Sequence, residues 1–183
     1  MKVLGAVLGG GRSRRFGSDK ALALLDDRTL LEHAVAALRP HCARVAVVGR
    51  ATRSAAAIAI ADWPAPAMGP LGGLAGALSY ARQEGFEGVL SCGVDLVSLP
   101  MDLPDRLRPG PTFVADQPVI GLWPVASLAA LEAILLGPGS HAMRAFTEAI
   151  GARPLTLPQP LPNINRPEDL TRLKRERDAG PWE

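Results

Sequence analysis

Aromatic residues make up only 4% of this 183-residue chain. Surfaces that grip single-stranded nucleic acid stack bases on aromatic side chains set among basic ones, and no stretch shows that interleaving. Strong net charge is missing as well. Lys and Arg total 20 against 18 Asp and Glu, and a balance of +2 creates no field that would by itself select nucleic acid or a membrane. Cysteine is scarce: Cys42 and Cys92 each lie in an apolar segment with no second ligand at metal-site spacing, which excludes a disulfide framework and a zinc site. Both thiols are expected to be buried, reduced and inert. No run approaches the roughly 18 apolar residues of a membrane helix, and Val3 to Leu8 is too short for a signal-peptide core. A cytoplasmic chain with neither nucleic acid nor membrane as partner is the expectation that follows.

Against these absences, 48% of the residues are hydrophobic, enough for one compact domain with a full core. That domain is expected to span residues 1–177, with 178–183 as a frayed tail. Val3 to Leu8 reads as a strand buried on both faces. Thr29 and Glu32 match a capping box, followed by the helical stripe Leu30, Leu31, Ala34, Val35 and Leu38, and Pro40 ends the helix. Arg44 to Gly49 is a second strand, and an Ala-rich stretch from Ser54 leads into a third that ends at Asp62. Gly69 to Gly85 becomes a helix, and Val89 to Cys92 a further strand closing on Asp95.

Later candidates are strands at Thr112 to Ala115, Val119 to Trp123 and Arg153 to Leu157, and helices at Leu128 to Leu136 and Met143 to Ile150. A last helix opens on Pro167, Glu168 and Asp169 and closes on Lys174, Arg175 and Arg177. The alternation of strand and helix predicts an α/β domain with a mostly parallel sheet. Ligands in such sheets bind at the carboxyl ends of the strands, which places the loop after Leu8, Asp62 and Asp95 on one edge.

That loop, "LGGGRSRRFGSDKAL" from Leu8 to Leu22, joins three successive glycines to Arg12, Arg14, Arg15 and Lys20. Successive free backbone N–H groups form an anion cradle, and the basic side chains add charge. Composition alone leaves a second reading open, a tight turn with solvated arginines. The loop matches neither the Walker A pattern nor the dinucleotide fingerprint.

The same residues resemble the L-A-G-G-x-S-x-R-M-G-x-D-K signature of nucleotidyltransferases, most closely the molybdenum cofactor guanylyltransferases of MobA type, with Gly9 in place of alanine and Phe16 in place of methionine. Three further segments resemble that family in the expected order. Asp62 with "GPLGGL" at Gly69 to Leu74 is similar to its guanine-reading segment, "GVDLVSLP" at Gly93 to Pro100 to its C-D-x-P segment, and "NINRPEDL" at Asn163 to Leu170 to its N-x-N-T-P-E-D/E-L segment. The chain departs from the pattern where Gly49 and Arg50 follow the second strand in place of an asparagine, where Val97 replaces a proline, and where Gln117 replaces a histidine.

The resemblance implies a single-domain Rossmann-like three-layer sandwich of the nucleotide-diphospho-sugar transferase type. It implies nucleotide contacts from Leu8, Gly9, Gly10, Gly11, Arg12, Ser13, Lys20, Asp62, Gly69, Pro70, Leu71 and Gly73. Arg15 and Lys20 would hold the leaving pyrophosphate, Asp95 would bind Mg²⁺, and Asn163 and Asn165 would meet the pterin. An aspartate at 62 suits guanine, whose N1–H and N2–H are both donors. The implied reaction transfers GMP from GTP to molybdopterin, with handover of the product to an acceptor molybdoenzyme as a further expectation.

No histidine is called for, and His33, His41 and His141 have the positions of structural residues. Trp63 either stacks near the nucleoside or anchors its loop. The competing readings are a sister enzyme using CTP, one acting on a sugar or polyol phosphate, and a nucleotide-binding protein without turnover.

Overall fold

A computed structural model describes residues 1–10, 19–52, 54–164 and 166–178. Its described strands are β1 (Val3–Leu8), β2 (Leu24–Leu25), β3 (Arg28–Thr29), β4 (Arg44–Val48), β5 (Ile58–Ile60), β6 (Gly88–Gly93), β7 (Thr112–Val114), β8 (Gln117–Pro124) and β9 (Arg153–Leu155). The helices are α1 (Leu30–Leu38), α2 (Gly69–Gln83), α3 (Leu103–Arg106), α4 (Leu128–Leu136), α5 (Met143–Ala149) and α6 (Pro167–Asp178). Seven of the strands form one sheet in the order β5-β4-β1-β6-β8-β7-β9, and only β8 runs against its neighbours. This is the mostly parallel α/β sheet that the sequence predicts. The short hairpin β2–β3 stands apart.

Alternation along the strands sorts the core into two layers, because successive side chains point to opposite faces. Val3 and Val7 of β1, with Val45 and Val47 of β4, pack with Leu31, Val35 and Leu38 of α1 and Leu103 of α3. Leu4, Ala6, Ala46 and Val48 face the other way, against Leu71, Leu74 and Leu78 of α2 and residues of α4 and α5. The capping box forms as the spacing requires: Glu32 N–H donates to Thr29 Oγ1 at 3.2 Å, and Thr29 N–H donates to Glu32 Oε2 at 2.7 Å. Trp123 is fully buried, with its indole N–H donating to Ser91 Oγ at 2.8 Å, and the Ser91 hydroxyl donating in turn to Val119 O at 2.6 Å. Every polar atom of that buried chain of contacts is thereby satisfied.

Helix α3 lies outside the sequence reading, and between β4 and β5 the Ala-rich stretch turns, with Ala55 and Ala56 exposed. The hairpin β2–β3 was not anticipated. It closes on Asp26 and Asp27, both at positive φ (50° and 58°), the conformation a two-residue hairpin loop demands. Cys92 is buried, whereas Cys42 is half-buried. Burial still pushes the Cys42 thiol up to about 12 and the Cys92 thiol well above its ordinary value. His33 is structural, with its ring Nε2 at 2.8 Å from Leu25 O. Helix α6 runs to Asp178, and the tail from 179 lies outside the described residues. No described helix is long and apolar enough to cross a membrane.

The close approach of α2 to the chain leaving β5 sets up a test. A Cβ on Gly76 would strike the carbonyl oxygen of Ala61, next to Asp62. Glycine to alanine inside a helix ordinarily stabilises by about 1 kcal/mol. Here Gly76→Ala is expected to destabilise by about 1–3 kcal/mol, because backbone must move. A urea melt reads the sign directly, and a raised midpoint would contradict the packing described.

Candidate active site

Four strands deliver the site from one edge of the sheet. β1 ends at Leu8, and Gly9 N–H donates to Val48 O at 2.9 Å, so the chain stays stitched to β4 as it leaves the sheet. Gly11, Arg12, Ser13 and Arg15 lie outside the described residues. At the far end of that segment Asp19 caps a 3₁₀ turn over Lys20–Leu22, its carboxylate accepting from Ala21 N–H at 3.2 Å. Lys20, only 7% exposed, directs its ammonium to Asp95 Oδ2 at 3.5 Å.

Asp62 follows β5. Its Oδ2 accepts from Ala67 N–H at 3.1 Å, and Trp63 N–H donates to Gly72 O at 3.0 Å, tying the loop to the start of α2. Trp63 packs on the α2-side core and not into the cleft, so it anchors its loop. Gly49 holds a left-handed φ of +78°, and a Cβ there would meet the Asp62 carboxylate. That position therefore demands glycine twice over, for its backbone and for the space the carboxylate takes.

Asp95 stands just past β6. The next residue, Leu96, forms an isolated antiparallel bridge with Asn163, which brings the C-terminal segment to the strand ends. Gln117 supports the same segment from β8, its side-chain N–H donating to Leu161 O at 3.0 Å. The Asn163 side-chain oxygen is buried and has no hydrogen-bond partner among the described residues. Val97 is buried with Leu25, Leu30, Ile164 and Leu173. An apolar residue is thus what that small core needs at the place where the resemblance calls for proline.

These pieces meet in one cleft of about 290 Å³. Leu8, Gly10, Lys20, Asp62, Gly69, Pro70, Gly73, Asp95 and Asn163 all line it. Two other anticipated residues sit elsewhere: Leu71 is fully buried in the core, and Gly9 lies against Arg50. Asn165 lies outside the described residues. The sequence reading did not single out Asp116 as a site residue, nor did it give Gln117 a place at the site, yet both line the same cleft. Pro118 after them was the available signal, since a proline at the second residue of β8 cannot donate to the ladder and marks where regular pairing begins.

Chemically the cleft is mixed. The N-terminus of the fifteen-residue α2 and the Lys20 ammonium favour anions, while Asp62 and Asp95 offer acceptors. No group of three or more His, Cys, Asp or Glu that could hold a metal occurs among the described residues. Asp95 alone still fits Mg²⁺, which is held by one or two carboxylates and otherwise by water and substrate phosphates. Beside the cleft, Arg50 pairs with Asp19. The guanidinium hydrogen bonds to Asp19 hold that carboxyl below its usual range, and the carboxylate in turn raises Arg50.

Comparison with known proteins gives a consistent picture. A family model described as a MobA-like NTP transferase domain matches residues 5–153. A molybdenum cofactor guanylyltransferase from Acidiphilium cryptum is 36% identical over 176 aligned residues, covering 90% of each chain. One from Rhizobium leguminosarum bv. trifolii is 33% identical over 198, covering 97% of this chain and 94% of the relative. Among solved structures, molybdopterin-guanine dinucleotide biosynthesis protein A from Archaeoglobus fulgidus aligns with a TM-score of 0.73 at 20% identity, over 97% of this chain and 100% of that one. The 2-C-methyl-D-erythritol 4-phosphate cytidylyltransferase of Thermus thermophilus aligns at 0.63 and 18% identity, over 97% and 98%. Likeness at these identities speaks for the fold alone.

Proposed function

The chain belongs to the MobA-like NTP transferase family, and on that premise we propose that it is a molybdenum cofactor guanylyltransferase: it moves GMP from GTP onto the terminal phosphate of molybdopterin. The observation that carries this reading is the convergence of Lys20, Asp62, Asp95 and Asn163, drawn from across the chain, on one cleft at the strand ends. A phosphate oxygen of the pterin attacks the α-phosphorus in line, a new P–O bond forms, and the bond to the β-phosphate oxygen breaks to release pyrophosphate. Such a transfer asks the protein mainly to align two anions and offset their repulsion.

Lys20 offsets charge on the β- and γ-phosphates, and Arg15 joins it there. Gly10, Gly11, Arg12 and Ser13 contact the phosphates, while Leu8, Gly69, Pro70 and Gly73 shape the nucleoside end. Asp62 accepts from N1–H and N2–H of guanine. Asn163, whose side-chain oxygen has no partner among the described residues, and Asn165 meet the donors of the pterin edge. Asp95 is the side chain that would hold Mg²⁺, which would supply positive charge to offset that of the phosphates. The attacking phosphate is already ionised near neutral pH, so no side chain is needed as a base. GTP as substrate and unpaired thiols at Cys42 and Cys92 support a cytoplasmic site of action, with an acceptor molybdoenzyme receiving the product.

Titration calorimetry of GTP, CTP, ATP and UTP, with Mg²⁺ present, tests the guanine assignment. Wild type is expected to prefer GTP, and Asp62→Ala to weaken GTP by about 10²-fold while leaving CTP unchanged, since two hydrogen bonds to a charged acceptor are lost. Preference for CTP in wild type, or GTP binding untouched by Asp62→Ala, would overturn it.

A further inference from the structure

Arg50 is the residue whose contacts the reaction outlined above leaves unused. Its guanidinium grips Asp19 with both terminal nitrogens, Nη1 donating to Oδ1 at 2.9 Å and Nη2 to Oδ2 at 2.7 Å. The two residues come from different parts of the fold, the turn before Lys20 and the loop after β4. A partly solvated ion pair of this kind adds little to stability in general, and here Asp19 is 47% exposed while Arg50 is 20% exposed. What the pair does is geometric, because a fork-to-fork contact fixes direction as well as distance.

The stem of the same side chain touches the other end of the phosphate loop. A Cβ on Gly9 would lie 2.7 Å from Arg50 Cδ and 3.1 Å from Cγ, so the arginine passes over Gly9 in the space an alanine would fill. The left-handed Gly49 turns the chain immediately before it. Arg50 Nε is buried without a partner among the described residues, and of those residues Asp19 is the one that anchors the guanidinium. Gly9 and Asp19 flank the loop whose glycines and arginines the sequence marks for phosphate. One side chain therefore spans its base.

Asp19 passes the constraint on. The Oδ1 that accepts from Arg50 Nη1 also accepts from Ala21 N–H, closing the turn whose first residue is Lys20. We infer that Arg50 is a positioning residue: by bridging Gly9 and Asp19 it sets the two ends of the phosphate loop and, through Asp19, holds Lys20 where it meets the leaving pyrophosphate. The inference rests on Lys20 as a phosphate contact. It also explains why glycine stands at position 9 in a chain that carries Arg50.

Charge gives the test its sign. Asp19 is an anion beside an anion site, so Coulomb's law alone has Asp19→Ala bind inorganic pyrophosphate more tightly. The bridge has it bind about tenfold more weakly. Arg50→Lys keeps the charge and loses the fork, and it is expected to weaken pyrophosphate by a few-fold; Gly9→Ala, which displaces the stem, is expected to do the same. The double variant Asp19→Ala/Arg50→Met is expected to be no weaker than Arg50→Met.

Calorimetry with pyrophosphate and Mg²⁺ reads all of these, and a circular dichroism melt of each variant shows that the fold is kept. Pyrophosphate affinity in Asp19→Ala equal to or tighter than wild type, or Arg50→Lys indistinguishable from wild type, overturns the inference, as does a wild type that takes no pyrophosphate. Failure of wild type to prefer GTP overturns the guanylyltransferase reading instead and leaves the pyrophosphate comparison standing.

Discussion

Replacing Asp95 with asparagine is expected to lower turnover of GTP by about 10³-fold or more and to destabilise the fold as well. The loss of turnover follows from the position of the carboxylate just past the end of β6, facing the cleft in which the proposed reaction takes place. The loss of stability follows from Lys20. Its side chain is 8% exposed and pairs with Asp95 at 3.5 Å, so the amide leaves a nearly buried ammonium without its counter-charge. Breaking a fully buried pair costs about 3–5 kcal/mol. Asp95 is 29% exposed, so water compensates in part and about 1–2 kcal/mol is expected, a fall of about 2–8 °C in Tm. Pyrophosphate release and a thermal melt on the same preparation measure both. Turnover near that of wild type would contradict the assignment of Asp95.

Lys20→Met should behave differently, and the difference is informative. Turnover is expected to fall by about 10²–10³-fold, because a charge aimed at the leaving group stabilises the transition state more than the ground state. Stability should change by less than about 1 kcal/mol, since methionine fills a buried stem and the orphaned carboxylate can be hydrated. The two partners of one ion pair thus separate: removing either slows turnover, and removing the carboxylate also harms the fold. Equal destabilisation by both changes would show that Asp95 is more tightly enclosed than its exposure indicates.

Local signals explain which parts of this arrangement were readable in advance. The Thr29–Glu32 box and the run Leu30 to Leu38 fix α1 by spacing alone, and the all-apolar Val3 to Leu8 declares a strand covered on both faces. The hairpin at Leu24 to Thr29 hid because its strands are two residues long and its turn uses aspartates, not the Asn-Gly or Asp-Gly that announces such a loop. The reversal of β8 was equally silent, as direction is decided by which neighbour a strand meets and not by its own residues.

At the site, Asp62 and Asp95 were nameable from their places at strand ends and Lys20 from the charged glycine loop, whereas Asn163 came from the resemblance of its segment to the family's. The pairings that hold them were not nameable. Arg50 with Asp19 and Gln117 with Leu161 O are contacts between segments far apart in sequence, and no periodicity records which segments fold together.

The most direct test of the central claim is a transfer assay with purified protein, molybdopterin, Mg²⁺ and GTP carrying a radioactive α-phosphate. The account expects the label to appear in a new pterin dinucleotide, with one pyrophosphate released for each label transferred and no transfer from equally labelled CTP. Label that stays in GTP in the presence of active molybdopterin, or that moves from CTP instead, would contradict it.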